Sequence, residues 1–158
     1  MTPAYARAPR GHRAVGYAPV HGAHANLVFG LGLRGIVAPL VFRGTTTAPF
    51  FRAYVRQRLA PALHRDEIVL VDRHSAHMPS ILRPIVRAQG GHLWLLPPYS
   101  PDLVPLESCG SKVKNVVRRQ EPRTEEALLA AVGAGLADVT RSDIVGWFRH
   151  CGYHIKSF

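Results

Sequence analysis

The apolar positions of this 158-residue chain change period several times, and each change predicts an element. NLVFGLGL (26–33) and IVAPLVF (36–42) are β-branched runs separated by Arg34 and Gly35, the pattern of an antiparallel hairpin with a tight two-residue turn. Pro39 cannot donate to a ladder, so it predicts a sheet edge or a bulge. From Thr45, Thr46 or Thr47 as N-cap, Phe50, Phe51, Tyr54, Val55 and Leu59 recur at helical spacing to about Leu63, with Arg52, Arg56 and Arg58 among them. One face of that helix would pack and another would be cationic. EIVLVD (67–72) is nearly all apolar and ends on a carboxylate, as expected of a strand covered on both faces. MPSILRPIVRAQGG predicts a helix with Ile81, Leu82, Ile85 and Val86 on one side, closed by Gly90, and HLWLL (92–96) a second strand. Strand, helix, strand in that order makes a parallel pair with a right-handed crossover.

Beyond a proline-rich turn, residues 105–119 read as a helix bearing Lys112, Lys114, Arg118 and Arg119. TEEALLAAVGAGLADV (124–139) is a second, with Thr124 as N-cap and two glutamates in its first turn, and SDIVGWFRHCGY (142–153) a third, with Ser142 as cap. Residues 1–25 show no period and predict an irregular basic segment. Length and 47% apolar composition suit one globular domain, and the elements predict a mixed α/β fold.

Charge adds a partner. Net charge is +10, but residues 1–65 hold nine arginines and no Asp or Glu, giving +9, while residues 66–158 hold +1. A basic half most often faces a polyanion, nucleic acid above all. The compositional alternative is arginine-rich codon usage, since Arg outnumbers Lys seventeen to three. Cys109 and Cys151 are too few for a disulfide framework and match no zinc spacing, so free thiols in a reducing compartment are expected. No apolar run reaches the roughly 18 residues of a membrane span and no secretory h-region opens the chain, which predicts a cytoplasmic protein with no membrane partner.

Several motifs fail on context. GLGLRG (30–35) matches a dinucleotide fingerprint but runs into a strand where a helix is required. The histidine pairs His21/His24 and His74/His77 lack the partner set of a structural zinc site, and neither Ser75 nor Ser100 sits in a nucleophile elbow. Asp72 and Glu107 differ. One ends a parallel strand and the other starts a helix beyond the neighbouring strand, so both approach the sheet's carboxyl edge, where ligands of open α/β sheets gather. Paired carboxylates suit Mg²⁺ or Mn²⁺, and two such ions about 4 Å apart clamp the attacking and leaving oxygens of a phosphodiester. The residues alone leave a plainer alternative open, in which Asp72 caps a strand and Glu107 complements a helix dipole.

VDRHSAH followed by LLPPYSPDLVPLE resembles the pattern DN-x-x-x-H … LPPYSPDLNPIE of the DDE transposases, in the branch of the mariner superfamily carried by bacterial insertion sequences of the 630 group. With YARAPRG near the start and WFRHCGY near the end, the resemblance covers essentially the whole chain. It implies an RNase H-like fold, a mixed sheet with flanking helices, holding three carboxylates and two Mg²⁺ (or Mn²⁺) ions. In that family the ions activate water to nick the element's ends, then activate the freed 3′-hydroxyl to attack target DNA. The resemblance places Asp72 as the second acid and Glu107 as the third, 34 residues lying between them. His77, Pro97, Pro98, Tyr99, Ser100, Pro101, Asp102 and Pro105 fall on the supporting motif. Asp102 reads as a turn and helix-capping residue, and the prolines restrict the loop that presents Glu107.

The departures matter equally. The family's first acid lies on a strand preceding the region that matches Met1, and no Asp or Glu occurs before Asp66. The resemblance therefore implies residues 26–158 to be a partial domain lacking the first, central strand, with unpaired strand edges, and lacking the helix-turn-helix that reads the terminal repeats. Arg73, Val104 and Gly110 replace an Asn, an Asn and an aromatic, and Arg73 could pair with Asp72 and compete with a metal. The expectation is a transposase catalytic-core fragment, inactive by itself, which need not hold the metal of its parent family. Arg52, Arg56, Lys112, Lys114, Arg118 and Arg119 would meet phosphates of transposon ends and target DNA at the bacterial nucleoid. A homodimer, and an N-terminal half encoded upstream and joined by frameshifting, stay open. The rival is a non-catalytic DNA-binding or oligomerising remnant.

Overall fold

The computed structural model describes residues 9–12, 25–73, 77–98 and 100–155; most of the segment expected to be irregular, together with His21, His24, His74, Ser75 and Tyr99, lies outside them. Strands β1 (Asn26–Gly32) and β2 (Gly35–Phe42) form the expected antiparallel hairpin. Its turn is Leu33–Arg34, one residue earlier than the sequence suggests, because Gly35 at φ 138 still pairs with Gly32. The register jumps from Val28↔Leu40 to Gly30↔Val37, so Ala38 and Pro39 together oppose Phe29. Pro39 thus sits in a bulge, as its missing N–H requires.

The helix expected to run to about Leu63 is instead three pieces. Thr47 caps α1 (Ala48–Tyr54), its Oγ1 accepting from the Phe50 N–H at 3.4 Å, and a π turn at Val55–Leu59 and a 3₁₀ turn at Ala60–Ala62 follow. Pro61 has no N–H to continue an α-helical ladder. The wider π turn keeps Val55 and Leu59 both facing inward, where they are buried with Phe51 and Tyr54.

Strands β3 (Ile68–Val71) and β4 (His92–Leu95) are parallel, in register from Ile68↔His92 to Val71↔Leu95, with α2 (Pro79–Arg87) as the crossover. Gly90, at φ 77, turns the chain out of α2 as expected. Leu82 and Val86 of α2 are almost fully buried and join Phe51, Tyr54, Val55, Leu59 and Leu93 in one core, against which Val28, Val37 and Leu40 of the hairpin pack. This covers one face of β3 and β4 only. Ile68 is 48% and Trp94 58% exposed, so the expected burial on both faces is not met among the described residues. Nor do the two pairs of strands merge there: they remain separate two-stranded sheets. The fold is mixed α/β with small sheets.

The C-terminal part adds α3 (Pro105–Gln120), α4 (Glu125–Ala137) and α5 (Arg141–His150). Helices α3 and α4 meet at Gly135, where a Cβ would stand 3.1 Å from the Val113 side chain and 3.2 Å from its backbone; the missing side chain is what allows that approach. Val117, Ala131 and Val132 form a second core, on which Leu27 and Val41 of the hairpin pack. Successive residues of a strand point to opposite faces, so the hairpin serves both cores. Thr124 caps α4 as expected, but α5 is capped by Thr140 and not Ser142. The reason is Asp143: its carboxylate accepts from the Thr140 N–H while Thr140 Oγ1 accepts from the Asp143 N–H, a capping box that Ser142 cannot make. Among the described residues no helix is long and apolar enough to cross a membrane.

Candidate functional site

Asp72 is the first residue past β3, and its side chain is 57% exposed. His77 Nδ1 pairs with its carboxylate and stands 3.4 Å from its backbone carbonyl. A ring nitrogen facing two oxygens, neither of which can donate, acts as the donor to them. The other side of the imidazole lies against Phe51, ring centroids 4.1 Å apart and tilted by 38°. Phe51 is buried, so a core side chain sets the histidine and the histidine sets Asp72. The sequence left open that Arg73 could pair with Asp72; among the described residues the ion pair found at Asp72 is with His77.

Strand β4 ends in register with β3, so the segment leading to Glu107 leaves from the same carboxyl edge as Asp72. Leu96 is buried, Pro97 and Pro98 are exposed, and Ser100 Oγ donates to the Pro98 carbonyl at 3.4 Å. A 3₁₀ turn at Pro101–Leu103 follows, then α3 opens on buried Pro105, with Glu107 exposed in its first turn. Asp102 is a turn residue as expected but not a cap: the N-cap of α3 is Val104, and no side chain closes that end. Pro105, at the first helical position, has no N–H to satisfy there.

Glu107 opens onto a groove of about 560 Å³ shared with Ser108, Ser111, Lys112, Asn115, Val116 and Arg119 of α3, Asp138, Asp143 and Trp147. Asp72 is not among its walls. Of the six predicted phosphate contacts, Arg52, Arg56, Lys114 and Arg119 are exposed and Arg118 is half-buried, with Nη1 donating to Asn115 Oδ1 at 3.3 Å. Lys112 is committed within the chain. Its Nζ donates to the Asp138 carbonyl and to Asp143 Oδ2, both at 2.7 Å, tying α3 to the end of α4 and the first turn of α5. Sequence reasoning missed this tie, although Thr140 followed three residues later by Asp143 was a readable capping-box signal.

The Lys112 ammonium, then the Thr140 hydroxyl and N–H, hold the Asp143 carboxyl down from 3.8 to about 2. The ionised form is favoured in the folded chain, so this stabilisation is complete above the ordinary carboxyl value near 4 and disappears as pH falls from about 4 to about 2. Thermal unfolding should therefore show Asp143→Asn less stable than the parent at neutral pH, with the gap closing near pH 2. Glu126, lowered by its own N–H and by Thr124, changes in the same direction in both proteins and cancels from the comparison. A gap that persisted at about pH 2 would sink this account.

In comparison with known proteins, a family model described as DDE superfamily endonuclease matches residues 1–129. No curated protein matches the chain.

Proposed function

This chain belongs to the DDE superfamily of endonucleases, and we propose that it is the catalytic-core portion of a transposase of the kind carried by bacterial insertion sequences of the 630 group, built on an RNase H-like plan. Asp72 and Glu107 are its second and third acids. The observation that carries this reading is that the His77-held Asp72 and the loop aiming Glu107 leave the carboxyl edge of two parallel, in-register strands.

In this family a divalent cation supplies activated water or hydroxyl for attack on the phosphodiester. Among the described residues no three His, Cys, Asp or Glu side chains gather as donors, and the Asp72 carboxylate is engaged by His77. Among the described residues the donor set is therefore incomplete. What the chain's own residues do is place Asp72 just past β3 and Glu107 in the first turn of α3, and offer DNA a cationic surface. Residues 1–65 contain no Asp or Glu, and we propose that these 158 residues alone do not nick DNA. The purified chain with Mg²⁺ and inverted-repeat DNA should give no nicking above that of Glu107→Ala. Clear nicking abolished by Glu107→Ala would overturn the inactivity while upholding the role of Glu107. The exposed cations Arg52, Arg56, Lys114 and Arg119 favour a second reading, a chain that binds DNA without cutting it, and nicking that survives Asp72→Ala and Glu107→Ala would remove both acids from consideration.

A further inference from the structure

The C-terminal end of α5 reaches the loop that carries Glu107, and the sequence FRHCGY dictates how. Gly152 is left-handed at φ 83; its N–H donates to the Arg149 carbonyl at 3.0 Å, and the Tyr153 N–H donates to the Phe148 carbonyl at 3.0 Å. Those two bonds define a Schellman helix end, and the apolar contact that accompanies one is here Phe148 against Tyr153, centroids 5.5 Å apart. With backbone and ring both held, the phenol has one direction. Its hydroxyl donates to the carbonyl of Leu103 at 2.7 Å, fifty residues earlier in the chain.

Leu103 ends the 3₁₀ turn before α3. Its N–H donates to the Ser100 carbonyl at 3.2 Å, the Val104 N–H to Pro101 at 2.9 Å and the Glu107 N–H to Val104 at 3.1 Å. The prolines of this loop restrict φ at their own positions but not ψ at Leu103. An anchored Leu103 carbonyl fixes the peptide plane that the prolines leave free, one helical turn before Glu107. Burial raises the Tyr153 hydroxyl above its usual value, with Cys151 adding to it, so it stays a protonated donor. The Cys151 thiol is raised by burial and then by Asp102 and Glu107, which agrees with an α5 end seated beside both.

We propose that Tyr153 is a positioning residue: its hydroxyl holds the Leu103 peptide so that α3 starts at the angle presenting Glu107 at the carboxyl edge of β3 and β4. The proposal rests on Glu107 being an acid of the site, and Tyr153 lies beyond residues 1–129 that the family model covers.

The test is amide hydrogen exchange on the full chain, without metal or DNA. Tyr153→Phe removes the hydroxyl and keeps the ring. Exchange at Leu103, Val104 and Glu107 should quicken about tenfold, the loss of one net hydrogen bond, with β3, β4 and α4 unchanged. Restoring a para donor with 4-aminophenylalanine at position 153 should return the protection. Gly152→Ala has open space for its Cβ but opposes the left-handed backbone. It should give the same local pattern with the hydroxyl intact, and it decides the matter if Tyr153→Phe fails to fold. Unchanged loop exchange, or acceleration spread equally over α4 and the strands, overturns the proposal. Failure of Glu107 as the third acid would appear separately, as clear nicking that survives Glu107→Ala with loop protection intact.

Discussion

Leu82→Ala should cost this chain about 3 kcal/mol, within the roughly 2–5 kcal/mol that such a truncation removes from a close-packed core. Leu82 is 1% exposed on the inner face of α2, in the core that also holds Phe51, Tyr54, Val55 and Leu93. That core joins the hairpin, the π turn, the crossover helix and the parallel strands, so few neighbours can relax into the cavity without breaking another contact. Domains of this size have about 5–15 kcal/mol in all, and the variant should be partly unfolded under mild stress. A urea titration measures it: the midpoint should drop with an unchanged slope, whereas Leu129→Ala, at a position 46% exposed, should stay within about 0.5 kcal/mol of the parent. A loss below about 1 kcal/mol at Leu82 would mean that the core is looser than its burial indicates.

The second large effect is on DNA affinity. Removing Lys112, which is committed to Asp138 and Asp143, leaves five of the six predicted phosphate contacts. Each neutralised phosphate contributes about −0.9 to the log–log salt slope, so affinity for duplex DNA should fall roughly 500-fold between about 50 and about 200 mM salt. Arg119→Ala should flatten the slope by about one unit, and Lys112→Ala should leave it unchanged, as anisotropy titrations at several salt concentrations can measure. A flat response in the parent chain would assign the positive charge to composition, the alternative raised by seventeen arginines against three lysines.

What could be read in advance depended on how local the cause was. The hairpin, the parallel pair, the Pro39 bulge and the Thr124 cap follow from neighbours a few residues apart, and all are present. The α5 cap was misplaced because Thr140 and Ser142 both qualify by type, and only the acid three residues on separates them. The break at Val55–Leu59 was hidden because a π turn keeps the apolar spacing of a helix while shifting its hydrogen bonds. The places of Asp72 and Glu107 were legible because each ends or starts an element. Their supports were not: the rings of Phe51 and His77 and the Tyr153–Leu103 bond join residues 26 and 50 positions apart, and no periodicity encodes such pairs.

The hairpin, finally, is a spacer. Asp72 hangs from the core that Val28, Val37 and Leu40 help to fill, and Glu107 from the helix layer that Leu27 and Val41 help to fill. A slip of one residue between β1 and β2 would exchange the occupants of both cores at once, and the bulge at Ala38–Pro39 keys the strands against it. The thickness of one two-stranded ribbon thus helps to set how far apart Asp72 and Glu107 stand, and a change of side-chain volume on either of its faces should alter that separation.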